Sequence, residues 1–164
     1  MESAVIPGVA SGRQYVWIWL HKGVDTFMSN EQYRKFYWPT LQKLIIGIIE
    51  AGLTPVVYCE GSYNTRLEIL RDVPKGKVVY NFETVDMLKA KKVLGDVACI
   101  AGNVPNVMLS YGTPKEVEDY CKRLIDTCAP GGGFMMDSSA LIDEAKPENI
   151  RAMFETTLNY GIYK

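Results

Sequence analysis

The sequence predicts an α/β protein built on a mainly parallel sheet of about five strands. Three observations carry this. Short runs of β-formers alternate with longer stretches of helical periodicity from Tyr15 onward. The connectors are short, which suits consecutive strand–helix units. The strand runs are too apolar for a wet face, as expected where helices cover a parallel sheet. The chain has 164 residues, enough for one domain with a real core. Residues 1–164 read as a single domain, because no repeat, low-complexity tract or composition shift divides them.

The elements follow in order. "YVWIWL", Tyr15 to Leu20, is the first strand. Ser29 and Gln32 form a capping box that opens a long helix, kinked or restarted near Pro39 and stopped at Gly52. "TPVVYCEG" is the second strand, ending at Gly61, and "SYNTRLEILRDV" carries a short helix. "KVVYNF" is the third strand, and "ETVDMLKAKKVLG" is an amphipathic helix stopped by Gly95. "DVACIAG" is a buried fourth strand that ends in the corner Gly102-Asn103-Val104-Pro105. Thr113, Pro114 and Glu116 then open a well-capped helix. "PGGGFMMDSS" is the fifth strand, and a last helix runs from Pro147 to Gly161.

Composition narrows the function classes. The net charge of -1 gives no electrostatic argument for nucleic acid or an anionic membrane as partner. No stretch is apolar and long enough to span a bilayer, and no leader pattern opens the chain, so a cytoplasmic location is expected. The four cysteines, Cys59, Cys99, Cys121 and Cys128, form no CxxC pair, and His21 is the single histidine. They read as free thiols, mostly buried, with Cys121 and Cys128 on one helix face. The "PGGGF" run precedes a strand instead of opening a helix, so it is no phosphate loop.

Ligands of parallel α/β folds bind at the carboxyl ends of the strands. The residues at those exits are therefore the candidates: His21, Glu60, Asn64, Arg66, Asn103 and Asp137. Glu60 and Asp137 sit directly on strand ends, where a turn has no need of an acid. His21 can shuttle a proton or hold a metal, or it can be a hydrogen-bonded loop histidine. Lys22 and Arg66 can bind a carboxylate, and Glu60 and Arg66 can equally pair with each other. Asn103 can bond backbone across the corner.

Three segments resemble one family. "GNVPNVMLSYGTPKEV" resembles the Gly-Asn-x-Pro … Gly-Thr-Pro-Glu-Glu-Val signature of the uroporphyrinogen decarboxylase superfamily. "GGGFMMDSSALIDEAKPENIRAMFETTLNYG" resembles that family's closing strand and helix. "FMSNEQYRKFYWPTLQKLIIGIIEAGLTPVVYCEG" resembles the segment before them, in the same order and spacing. The resemblance implies a TIM-type (β/α)8 barrel, here an incomplete one. This chain would be its C-terminal part, with a cleft at the strand exits.

The resemblance implies a uroporphyrinogen decarboxylase-like protein in tetrapyrrole or corrinoid-linked chemistry. A corrinoid-dependent methyltransferase component and a non-catalytic binding or assembly subunit are the alternatives. The zinc ligands of the family's methyltransferases fall here at Tyr58, Glu60 and Ala140, with Cys59 shifted by one. No cofactor is assigned; zinc or corrinoid belongs only to the methyltransferase alternative. The key acid and the carboxylate-binding arginines of the decarboxylases lie in the other half of the barrel. The expected partners are a tetrapyrrole or other small molecule, and a second chain or second copy that completes the barrel.

Overall fold

The computed structural model describes residue 12 and residues 14–162. Five parallel strands form one sheet in chain order: β1 (Tyr15–Leu20), β2 (Thr54–Cys59), β3 (Val79–Phe82), β4 (Cys99–Ala101) and β5 (Phe134–Met135). Between and after them lie α1 (Asn30–Gln32), α2 (Trp38–Glu50), α3 (Leu67–Leu70), α4 (Met87–Leu94), α5 (Asn106–Tyr111), α6 (Pro114–Cys128) and α7 (Pro147–Tyr160). Each strand pairs with the next in sequence. Right-handed crossovers in such an order put every helix on the same face of the sheet. The result is an arc of a β/α barrel, with β1 and β5 at its open edges.

Parallel register assigns each side chain to a face, because rung neighbours point the same way. On the helix side lie Ile18, Val57, Tyr80, Ile100 and Phe134, then Leu20, Cys59 and Phe82. Val57, Cys59, Tyr80, Phe82 and Ile100 have no exposure. They pack under Ile45 of α2, Leu94 of α4 and Cys121 of α6, all equally buried. On the other side β1 presents Tyr15, Trp17 and Trp19, exposed by 55, 53 and 39%. Here the sequence expectation needs correcting: the strands are apolar on both sides, yet the described residues cover only one side with helices. An apolar run records that a face is made for burial, and says nothing of which segment buries it.

Local chemistry explains most boundaries. The Ser29 and Thr113 capping boxes both form, each with its Gln32 or Glu116 side chain returning to the cap N–H. Of the two expectations at Pro39, a kink or a restart, the structure shows the restart, with α2 beginning at Trp38. Residues Tyr33–Tyr37 open into a π-helical turn, with the Trp38 N–H donating to the Tyr33 carbonyl, and α2 continues from there. Proline lacks an N–H and its ring crowds the carbonyl four residues back, and the wider turn relieves both.

Two further differences concern the end of the chain. The corner after β4 leads first into α5, which has no side-chain cap to announce it. The fifth strand shrinks to Phe134–Met135 plus a bridge between Val104 and Ser138, because Gly131, Gly132 and Gly133 all take positive φ before it. No helix among the described residues is long and apolar enough to cross a membrane.

Candidate functional site

The bare face of the sheet is layered. Trp17, Val56, Val79 and Cys99 share the lower layer; Trp19, Tyr58, Asn81, Ala101 and Met135 share the next. One more step of the same alternation brings His21, Glu60, Glu83, Asn103 and Asp137 to the strand exits. Aromatic and small side chains thus form a floor, and polar groups form a ring above it. Interior layers below a polar carboxyl-end face are the arrangement of a β/α barrel.

The segment after β5 closes part of this face. Tyr58 Oη donates to the Ser139 carbonyl at 3.1 Å, and Asn81 Nδ2 donates to Asp137 Oδ2 at 2.5 Å. The Asn106 N–H donates to Ser139 Oγ at 3.2 Å, and its amide donates to the Leu141 carbonyl at 2.7 Å. An open groove of about 630 Å³ remains between Trp17, Trp19 and Tyr58 on one wall and Ala140, Leu141 and Ile142 on the other. Trp19 and Tyr58 rings meet at 4.5 Å. Burial pushes the Tyr58 phenol up to about 12, helped by the negative charges of Asp137, Glu83 and Glu60. The phenol stays a hydrogen-bond donor, to the Ser139 carbonyl.

Within the ring, His21 Nδ1 bonds Glu60 Oε2. Glu83 accepts from the Gly61 N–H at 2.5 Å, fixing the turn that follows Glu60. Asp137 Oδ1 accepts from the Ser138 N–H at 2.8 Å. Asn103 is turned to the rim: its amide donates to the Val85 and Glu83 carbonyls at 2.9 and 3.3 Å, and Tyr120 Oη donates to its carbonyl and side-chain oxygens, both at 3.3 Å. His21, Glu60 and Asp137 therefore gather at the strand exits, with Asn103 holding the edge.

Arg66 and Asn64 serve the loops instead. Arg66 is 1% exposed and lies over the Tyr33 ring at 4.7 Å. Its guanidinium donates to the carbonyls of Gly23, Val24 and Met28 and to Asn30 Oδ1, with Asp25 at 3.8 Å. It thereby ties the long loop after β1 to the loop after β2. It does not pair with Glu60, whose partner is His21. Asn64 accepts from the Asp86 N–H at 3.0 Å and donates to Ser62 Oγ and the Thr84 carbonyl.

Sequence reasoning left out Trp17 and Trp19; it met Asn81 and Glu83 at the exit of the third strand, and Tyr58 at a ligand position of the family, without counting them among the candidates. The signal for the first two was present in "YVWIWLH", where strict alternation puts Tyr15, Trp17, Trp19 and His21 on one side. Thiol ligation of zinc does not fit this face at the exits. Cys59 points to the helices with no exposure, and burial pushes its thiol well above the usual range. Tyr58 and Glu60 take the positions that face the cleft. Cys99 shares the bare side, two layers below the ring.

A parallel sheet in chain order, helices on one side and a polar ring at the strand exits define a β/α-barrel protein. Residues 10–160 match the family model "Uroporphyrinogen decarboxylase (URO-D)", and the chain belongs to that family. A uroporphyrinogen decarboxylase of Chlorobium phaeobacteroides is 26% identical over 157 residues, covering 87% of this chain and 44% of that protein. One from Chlorobaculum parvum is 26% identical over 134 residues, covering 78% of this chain and 37% of that protein. The chain thus spans less than half the length of these relatives. Among solved structures, a methyltransferase from Methanosarcina mazei superposes with a TM-score of 0.80 at 19% identity. It matches 98% of this chain with 47% of its own, a likeness of fold.

Proposed function

We propose that the chain works as the C-terminal portion of a uroporphyrinogen decarboxylase-like barrel, in tetrapyrrole or corrinoid-linked chemistry. Its cleft is the ring of His21, Glu60, Glu83 and Asp137 above the Trp19–Tyr58 floor. The observation that carries this is the bare layered face: aromatic side chains made for a barrel interior lie under polar groups at the strand exits. The remaining wall comes from a second chain, a second copy or further barrel strands.

Decarboxylation needs a positioned proton donor and stabilisation of the charge that develops as carbon dioxide leaves. The ring offers ionisable groups for the first. The carboxylate-binding cations have to come from the other wall, because Lys22 lies over Phe27 at 5.5 Å and Arg66 is spent on loop carbonyls. Methyl transfer is the second enzymatic reading, supported by the likeness to a methyltransferase fold and weakened by the poor fit of the thiols. An assembly role draws support from the exposed aromatic face.

The experiment supplies the purified chain with uroporphyrinogen, alone and mixed with the N-terminal half-barrel of a family relative, and watches for coproporphyrinogen. A parallel titration with cobalamin, with zinc analysis, addresses methyl transfer. Product only in the mixture supports the decarboxylase reading with a required partner. Cobalamin binding with no decarboxylation favours methyl transfer. Tight association with neither activity leaves the assembly role.

A further inference from the structure

We infer that His21 and Glu60 form a proton-transfer dyad, with His21 Nε2 as the reacting atom and Glu60 as its positioning residue. This deepens the proposal above and rests on its placement of the reaction at the strand exits.

The geometry has four parts. First, Trp19 pairs with Tyr58 and Leu20 with Cys59 in the parallel register, so His21 and Glu60 are the next rung on the cleft side. Second, the rung is anchored from below and behind: Leu20 and Cys59 are 3% and 0% exposed, and the Trp19 ring lies tilted against the Tyr58 ring at 4.5 Å. Third, the neighbouring carboxylate of Glu83 is engaged by the Gly61 N–H, which leaves Glu60 to His21. Fourth, only Nδ1 of the ring is bonded; Nε2 has no hydrogen bond to any described residue.

A carboxylate can only accept, so Nδ1 carries the proton in the neutral imidazole and Nε2 carries a lone pair. The lone pair takes a proton from a substrate group: the bond from that group to hydrogen breaks, its electrons stay on the substrate, and an N–H forms at Nε2. The imidazolium is compensated by the Glu60 carboxylate. Returning the proton to a carbanionic carbon or a departing oxygen restores the neutral ring. An exposed ion pair adds little to stability, so holding the fold is a weak explanation for this pair.

The chain has one histidine, which makes the test clean. Long-range proton–nitrogen correlation under alkaline conditions reads the tautomer of that single ring. The native chain should show Nδ1–H as the dominant form, and Glu60→Ala, which removes the acceptor, should move the ring toward Nε2–H. Identical nitrogen shifts in both proteins would overturn the dyad. In the uroporphyrinogen turnover assay above, His21→Gln should lower kcat about 100-fold or more with KM nearly unchanged. A loss under about tenfold would overturn the catalytic role. If uroporphyrinogen is not turned over, the decarboxylase reading fails by itself, and the nitrogen spectrum still decides for or against the dyad.

Discussion

Replacing Gly102 with alanine tests whether the rim of the cleft is held by a backbone contact. Gly102 sits at φ +113° where β4 ends, and a Cβ built there would lie 2.4 Å from the Phe82 carbonyl oxygen. Two costs add. A side chain at that φ is strained by about 1–3 kcal/mol. Forcing a methyl against rigid backbone costs about 1–3 kcal/mol more. The sum is about 2–6 kcal/mol, a large share of the stability of a domain this size. Gly76 is the internal control: its φ is +70°, and a Cβ there meets nothing within 4 Å. Gly76→Ala should therefore cost only the backbone component, about 1 kcal/mol. Urea unfolding of the three proteins, followed by far-UV circular dichroism, measures the difference. Equal losses of about 1 kcal/mol at both positions would refute the argument, because the Phe82 carbonyl would then have to move freely. The functional consequence is local. The Phe82 carbonyl belongs to β3 just before Glu83, whose carboxylate fixes Gly61 beside Glu60. A shifted rim should weaken ligand binding even in protein that remains folded.

Arg66→Ala should destabilise the chain by about 3 kcal/mol or more, because it strips the donors from several loop acceptors at once; Arg66→Lys should recover little, since one ammonium cannot match the planar fork. Denaturant unfolding checks both. Trp17→Ser should change the unfolding free energy by less than about 1 kcal/mol, because Trp17 is 53% exposed, yet it should reduce self-association or capture of a half-barrel partner in sedimentation velocity. Unchanged association would argue against the bare face as the docking wall. The Tyr58 phenol, raised from 10.0 to about 12, gives a pH signature. Its neutral form is favoured in the folded chain, so the stability it contributes is fully present below pH 10.0 and is lost as pH rises toward 12. Tyr58→Phe loses the bond to Ser139 at every pH, so the stability difference from native protein should be constant at lower pH and change only in that window.

The parts of the fold written in short-range chemistry were legible in the sequence. The Ser29 and Thr113 caps, the β-rich "YVWIWL" run and Gly52, which ends α2 at φ +78°, act within a few residues, and each does what its chemistry dictates. α5 escaped notice because Pro105 at its N-cap offers no side-chain acceptor. The site was legible in part, for a related reason. Strand exits can be found from the order of elements, which brings forward His21, Glu60 and Asp137. Their pairing needs register, which depends on how strands far apart in the chain align. Arg66 shows the limit most clearly. A cation next to a strand exit looks like a ligand clamp until the loop of residues 23–30 folds over it and takes its donors.

That loss of Arg66 reshapes the question of substrate. The described wall of the cleft carries the carboxylates of Glu60, Glu83 and Asp137, close enough together to raise the Tyr58 phenol. His21 stands among them, and the nearby cations face Phe27 and Tyr33 instead. A polycarboxylate brought against this wall alone would meet like charge at short range, an unfavourable contact in a partly desolvated groove. Under the function proposed above, the two walls of a completed barrel would divide the work. The aromatic floor and His21–Glu60 would serve the apolar body and the proton of a ligand, and the opposite wall its anionic groups. The division can be measured without knowing the substrate. Tryptophan fluorescence of the chain alone should respond to a neutral or cationic aromatic probe and stay nearly flat with uroporphyrin, whereas the complex with a half-barrel partner should respond to uroporphyrin. A chain that binds uroporphyrin alone, as tightly as the complex does, would show that this wall tolerates the anion and that its charge does not select.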